Sequence, residues 1–159
     1  MKITIACVGK IKEKFFTGAI DEYSKRLSRY VNLEICGVND EKAPENMSDA
    51  EANKVKEIEG ERLLKNIKPN DYVVALAIDG KKLTSEGFAA FFQQNMVKGV
   101  SHITFVIGGS LGLSKQVLDR ANYKLSFSDM TFPHQLMRVI LLEQIYRAYR
   151  INNNEPYHK

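Results

Sequence analysis

Three stretches of this chain hold residue types that can do chemistry. Gly108-Gly109-Ser110-Leu111-Gly112 follows directly on the strand-like run Ile103–Ile107. Glycines there let the main chain approach a bound molecule, because no Cβ stands in the way. The segment from Phe127 to His134 sets Phe127, Met130 and Phe132 among small polar residues, a composition that packs into a core or lines an apolar pocket. The chain closes on Tyr157, His158 and Lys159: a ring that stacks on a base, an imidazole that moves a proton near neutral pH, and an ammonium suited to phosphate. Each stretch also has a plainer reading: an ordinary turn, a helix start at Pro133-His134, and a frayed terminus.

Other chemistries find no support. The glycine turn is not a phosphate-binding P-loop, because no Gly-Lys-Ser/Thr follows. It is not the Gly-x-Gly-x-x-Gly of a dinucleotide fold, and it follows a late strand rather than the first. Cys7 and Cys36 form no Cys-x-x-Cys pair and the three histidines lie far apart, which argues against a zinc site. Both cysteines sit in strand-like runs and read as buried small apolar residues. No Ser-His-Asp constellation is visible.

The elements that must position these groups follow from periodicity. Residues 2–8 alternate as a strand. Phe15, Phe16, Ala19, Ile20, Tyr23 and Leu27 recur at helical spacing over about 13–30. Residues 31–38 read as a second strand, followed by a polar loop over 39–47. Ser48 and Glu51 stand at capping-box spacing and open a helix to about Asn66. The apolar run Tyr72–Ile78 reads as a central strand covered on both faces, ended by Asp79-Gly80. Thr84 or Ser85 opens a helix through Met96, with Phe88, Phe91 and Phe92 turned to the core. Then come strand 103–107, a short helix over 114–121, strand 123–127 and a helix over 134–151. The last helix pairs an apolar face with polar positions at Arg138, Glu143, Arg147 and Arg150. Strands alternating with helices predict an α/β fold, a largely parallel sheet with helices on both faces, in a single domain over 1–159. Ligands of such sheets lie at the carboxyl ends of strands, where the glycine turn and the 127–134 segment fall.

Composition agrees with a soluble globular protein: 44% hydrophobic and 26% charged residues, with no apolar run near the ~20 residues that span a bilayer. The opening run is too short for a signal peptide, so a cytoplasmic protein is expected. The net charge of +4 is uneven, with basic ends and a slightly acidic middle, which fits a weak nucleic-acid footprint.

Several segments together carry a resemblance. Phe105–Leu113, the loop ending Thr131-Phe132-Pro133-His134, the helix with Leu136-Met137-Arg138-Val139 and Glu143–Ala148, and the ending Asn154-Glu155-Pro156-Tyr157-His158-Lys159 resemble the RlmH family. These are small bacterial ribosomal RNA large-subunit methyltransferases of the SPOUT superfamily. The likeness runs the length of the chain, from Met1-Lys2-Ile3 onward.

The resemblance implies a deep trefoil knot near the C-terminus, which periodicity cannot suggest. It implies a homodimer that methylates N3 of a pseudouridine in ribosomal RNA, with S-adenosylmethionine as donor and no metal. Carried over by position, the cofactor site falls at Leu76, Gly108 and Gly109, and along Phe127, Ser128, Asp129, Met130, Thr131 and Phe132. His158 and Arg147 are the candidates for deprotonating N3 and stabilising the anion, and Tyr157, Lys159 and Arg138 for holding the RNA. Lys10–Lys14 and the 39–47 loop match no motif with a role. Two other functions are compatible with the residues: a nucleotide-using α/β enzyme without an RNA substrate, and a non-catalytic ribosome-binding protein on the same scaffold.

Overall fold

β1 (Lys2–Val8) is the strand from which the sheet grows outward. In the computed structural model, which describes residues 1–159, it pairs in parallel with β2 (Asn32–Val38) on one side and β4 (His102–Ile107) on the other. β3 (Tyr72–Lys82) lies beyond β4, and β5 (Tyr123–Ser126) forms the far edge, giving the order β2-β1-β4-β3-β5. Every pairing is parallel. Parallel strands need crossovers, and the helices supply them: α1 (Lys14–Leu27), α2 (Asp49–Leu64), α3 (Ser85–Val97), α4 (Lys115–Arg120) and α5 (His134–Asn152).

The period-two alternation of β1 divides the core. Ile3, Ile5 and Cys7 face one cluster with Leu27 of α1, Phe88, Phe91 and Phe92 of α3, and Leu141, Leu142 and Ile145 of α5. Ala6 and Val8 face the other, with Leu63 of α2 and Val117 of α4. Helices therefore cover both faces, as the sequence predicts. Phe92 is fully buried beneath Phe88 and Phe105, and truncating a side chain so placed costs about 3–5 kcal/mol. No helix is long and apolar enough to cross a membrane.

Helix starts follow their residues. Ser48 and Glu51 form the reciprocal capping box, and the Thr84 hydroxyl accepts the Gly87 N–H. Two expectations need correction. Asp79-Gly80 does not end β3: Leu76 and Lys81 both register with Leu125, so the strand steps out of the ladder over 77–80 and rejoins it. Gly80 makes this crossing possible, since a Cβ there would lie 2.8 Å from the Lys124 carbonyl carbon. Cys36 is only half-buried, because β2 is an edge strand. Cys7 is buried, and burial pushes its thiol pKa up, which leaves it a packing residue.

Candidate active site

The loops at the carboxyl ends of β3, β4 and β5 enclose a cavity of about 620 Å³. That is the size range of cofactor sites. Its walls include Leu76, Ile107, Leu125, Phe127 and Met137, and its rim is loop backbone. Of the positions carried over for a cofactor, Leu76, Gly108, Gly109, Phe127, Ser128, Met130, Thr131 and Phe132 all line it. Asp129 does not. Its carboxylate points outward and pairs with Lys82 Nζ at 2.5 Å. The lining also includes Ile78, Ser110, Leu111 and His134, which lie within the stretches read from the sequence but were not among the positions carried over for a cofactor.

The glycine loop has a reason of its own. A Cβ on Gly108 would lie 2.7 Å from the Gly112 carbonyl carbon, so Gly108 is required by the loop folding on itself. The Gly112 N–H donates to the Gly109 carbonyl at 3.1 Å, and Gly112 takes φ +89° to close the turn. A Cβ on Gly109 would lie 3.2 Å from both a Glu59 carboxylate oxygen and Val8 Cγ1. That side of Gly109 faces the protein. The 127–132 loop is likewise shaped from within: the Ser128 hydroxyl accepts the Met130 N–H at 3.0 Å, and the Ser126 hydroxyl donates to the Ser128 carbonyl at 3.1 Å.

Electrostatics of the lining do not suit an anionic guest. No lysine or arginine lines the cavity, and its one titratable lining side chain is His134. Burial first, then the neighbouring Arg138 charge, pushes the His134 pKa down, so the ring is held toward its neutral form. Such a lining has no cationic side chain to receive the phosphates of a nucleotide. Glu59 stands behind the glycine loop, buried, with its carboxylate accepting the Glu41 N–H at 3.0 Å. Burial pushes its pKa up.

The C-terminal tail is not frayed. It reverses at Asn154, whose φ is +55°, and runs back along α5. Arg150 grips Glu155 at 2.5 Å and the Pro156 carbonyl at 2.7 Å, and Tyr30 donates to Glu155 at 2.8 Å. Tyr157 donates to Glu143 at 3.0 Å and lies under the Arg147 guanidinium. Burial and the Glu143 carboxylate push its phenol up to about 12. His158 sits between Arg147 and Glu86, the latter in the first turn of α3. The structure thus brings Arg147, Tyr157 and His158 together. None of them, nor Lys159, lines the cavity. A small cleft along Thr84, Ser85 and Gln144 shares Leu125, Ser126 and Phe127 with it.

Arg138 must be withdrawn as an RNA-holding candidate. It is 5% exposed, and one of its terminal nitrogens donates to the Val8 carbonyl at 2.7 Å and the Gly9 carbonyl at 2.8 Å. It braces the end of β1 against α5.

Two further sites lie at the opposite, amino ends of the strands. Asp71, His102 and Thr4 touch in the order of a hydrolytic triad, at 2.9 and 2.8 Å. Thr4 is 4% exposed and does not line the adjacent cavity, so its hydroxyl meets no substrate, and the group ties β1, β4 and β3 together. A wider trough of about 800 Å³ runs past Met1, Arg29, Tyr30 and Asn32, far from the strand ends that carry the glycine loop.

A family model described as "Predicted SPOUT methyltransferase" matches residues 1–158. Curated proteins named ribosomal RNA large subunit methyltransferase H from Clostridium novyi and Clostridioides difficile are each 62% identical over 159 residues, covering all of both chains. The protein of that name from Bifidobacterium animalis is 61% identical over the same length.

Proposed function

The chain belongs to the SPOUT methyltransferase family, and from that premise we propose that it transfers the methyl group of S-adenosylmethionine to N3 of a pseudouridine in large-subunit ribosomal RNA. The observation that carries the reading is the cavity at the carboxyl ends of β3, β4 and β5, which is free of cationic side chains. Its apolar walls suit the nucleoside, and the neutral His134 leaves the sulfonium unopposed. A nucleotide cofactor would bring phosphates to a lining with no lysine or arginine to receive them, which disfavours the nucleotide-using alternative.

S-adenosylmethionine supplies an already activated methyl group, so the chain's residues need only align the attacking nitrogen, exclude water and manage one proton. N3 of the base is an imide nitrogen and attacks after losing its proton. His158 takes that proton and Arg147 stabilises the anionic base, while Tyr157 and Lys159 hold the RNA. The tail lines no part of its own chain's cavity, and Leu136, Val139, Ile140 and Tyr146 leave a half-exposed apolar stripe on α5. Both features support a homodimer in which one subunit's tail completes the other's site. The trefoil knot and a cytoplasmic place of action belong to the same reading.

The test is mass analysis of large-subunit ribosomal RNA from cells with and without the gene. One methyl group missing from a pseudouridine in the knockout, and restored by the wild-type chain, supports the reading. An unchanged modification pattern overturns it.

A further inference from the structure

The loop between β1 and α1 and the start of α1 reach solvent as Lys10-Ile11-Lys12-Glu13-Lys14-Phe15. Lys10, Lys12 and Lys14 are all exposed, and none is paired with a carboxylate. Phe15 is 70% exposed although its neighbour Phe16, 4.4 Å away between ring centroids, packs more deeply. Three unpaired ammonium groups and a bare aromatic ring in six residues make a costly surface. It repels itself, and it leaves an apolar ring in water.

Its position beside the cavity is fixed by the fold. A Cβ on Gly9, which precedes Lys10, would lie 3.5 Å from Nε2 of His134, and His134 lines the cavity. Arg138 holds the Val8 and Gly9 carbonyls from below, and the Gly9 N–H donates to the Val38 carbonyl at 2.8 Å. The root of the loop is therefore anchored while its lysines are free. At the end of β1, immediately before Gly9, Val8 Cγ1 would lie 3.2 Å from a Cβ on Gly109 of the glycine loop.

We propose that residues 10–15 are an RNA-binding edge of the active site, with Lys10, Lys12 and Lys14 pairing with backbone phosphates that flank the target base and Phe15 stacking on an unpaired neighbouring base. The chemistry is that of single-strand recognition: cations track the backbone, and an aromatic face accepts any base. The inference rests on the ribosomal RNA reading. It assigns the contact to the rim next to His134, apart from the C-terminal tail.

Salt dependence tests it. Binding of the full-length protein is measured to ribosomes, and to deproteinised large-subunit RNA, across a range of salt concentrations. Each phosphate contact on single-stranded RNA contributes a slope of about 0.7 in log affinity against log salt. Replacing Lys10, Lys12 and Lys14 together by Gln is expected to flatten the slope by about 2 on both RNAs. Replacement by Arg should preserve it. Phe15→Leu should weaken binding without changing the slope. S-adenosylmethionine titrations of all variants should match wild type, which also shows that they fold. A Gln variant with wild-type slope overturns the proposal, and so does a slope change seen on ribosomes alone, which would assign the lysines to a ribosomal protein. If the wild-type protein methylates ribosomes while the variants are indistinguishable from it, only this inference fails. If the wild type neither binds nor methylates them, the functional reading fails with it.

Discussion

Arg147 Nη1 lies 3.1 Å from Nδ1 of His158, and a guanidinium can only donate. Nδ1 therefore accepts, and the ring proton sits on Nε2, which faces the Glu86 carboxylate at 2.7 Å. This pairing sets the tautomer. It also occupies the lone pair that a general base uses, so under the proposed function His158 would take a substrate proton only once its Nδ1 contact to Arg147, itself held by Glu143, is released.

From this relationship, His158→Ala should lower single-turnover methyl transfer by about 100-fold, in the usual range for losing a general base. S-adenosylmethionine affinity should stay within about twofold, because the cavity is built from other loops. Deleting Tyr157-His158-Lys159 should behave the same way. Rapid-quench kinetics and calorimetric titration check the pair, and a truncated protein that methylates at the wild-type rate would return the tail to a structural role.

Gly108→Ala should cost S-adenosylmethionine affinity about tenfold or more. The added methyl would sit 2.7 Å from backbone of Gly112, which cannot yield without opening the turn that borders the cavity. Gly112→Ala meets no neighbour but is strained at φ +89°, at a cost of about 1–2 kcal/mol. Calorimetry on both variants separates loop displacement from strain: the first should lose affinity more than stability.

Arg138→Leu should be a stability variant. It leaves two carbonyls at the end of β1 without their side-chain donor, a loss of about 3 kcal/mol, or roughly 6–12 °C in Tm for a chain of this size. The salt slope for RNA binding should not change. A variant of unaltered Tm with weakened RNA binding would restore Arg138 to the substrate surface.

Glu59→Gln should stabilise the protein at neutral pH. Burial raises the folded-state pKa of Glu59, so its stabilising contribution is present below the unfolded value and is lost as pH rises through the folded one. The ionised carboxylate is then a cost at pH 7 that an amide avoids, while the amide oxygen can still accept the Glu41 N–H. Melting curves should show the variant above wild type near pH 7.5 and the gap closing toward pH 4. A gap independent of pH would contradict the assignment.

The sheet and the cavity were legible because their signals are local. Apolar alternation marked β1, the capping box marked α2, and Gly108 to Gly112 marked the loop after β4. What sequence missed depends on partners distant along the chain. β3 continues past Asp79-Gly80 because Leu125 offers a second pairing site, which no local propensity encodes. Arg138 looks like a polar helix position, yet it is buried under carbonyls 130 and 129 residues away. The tail reads as frayed until Tyr30, Arg150 and Glu86 are seen to hold it. Glu59 carries no motif at all. Its one cue is a carboxylate immediately before Gly60, whose missing side chain lets α2 approach Ser114 of the loop leading into α4.

The most direct test of the central claim uses purified protein, S-adenosylmethionine labelled in its methyl group, and ribosomes from cells lacking the gene. The account predicts that label enters large-subunit RNA at N3 of one pseudouridine, located by nuclease mapping and mass spectrometry, and that Gly108→Ala lowers the transfer about tenfold or more at limiting donor. Label at another atom, or ribosomes bound without transfer by a protein that holds the donor, would contradict it.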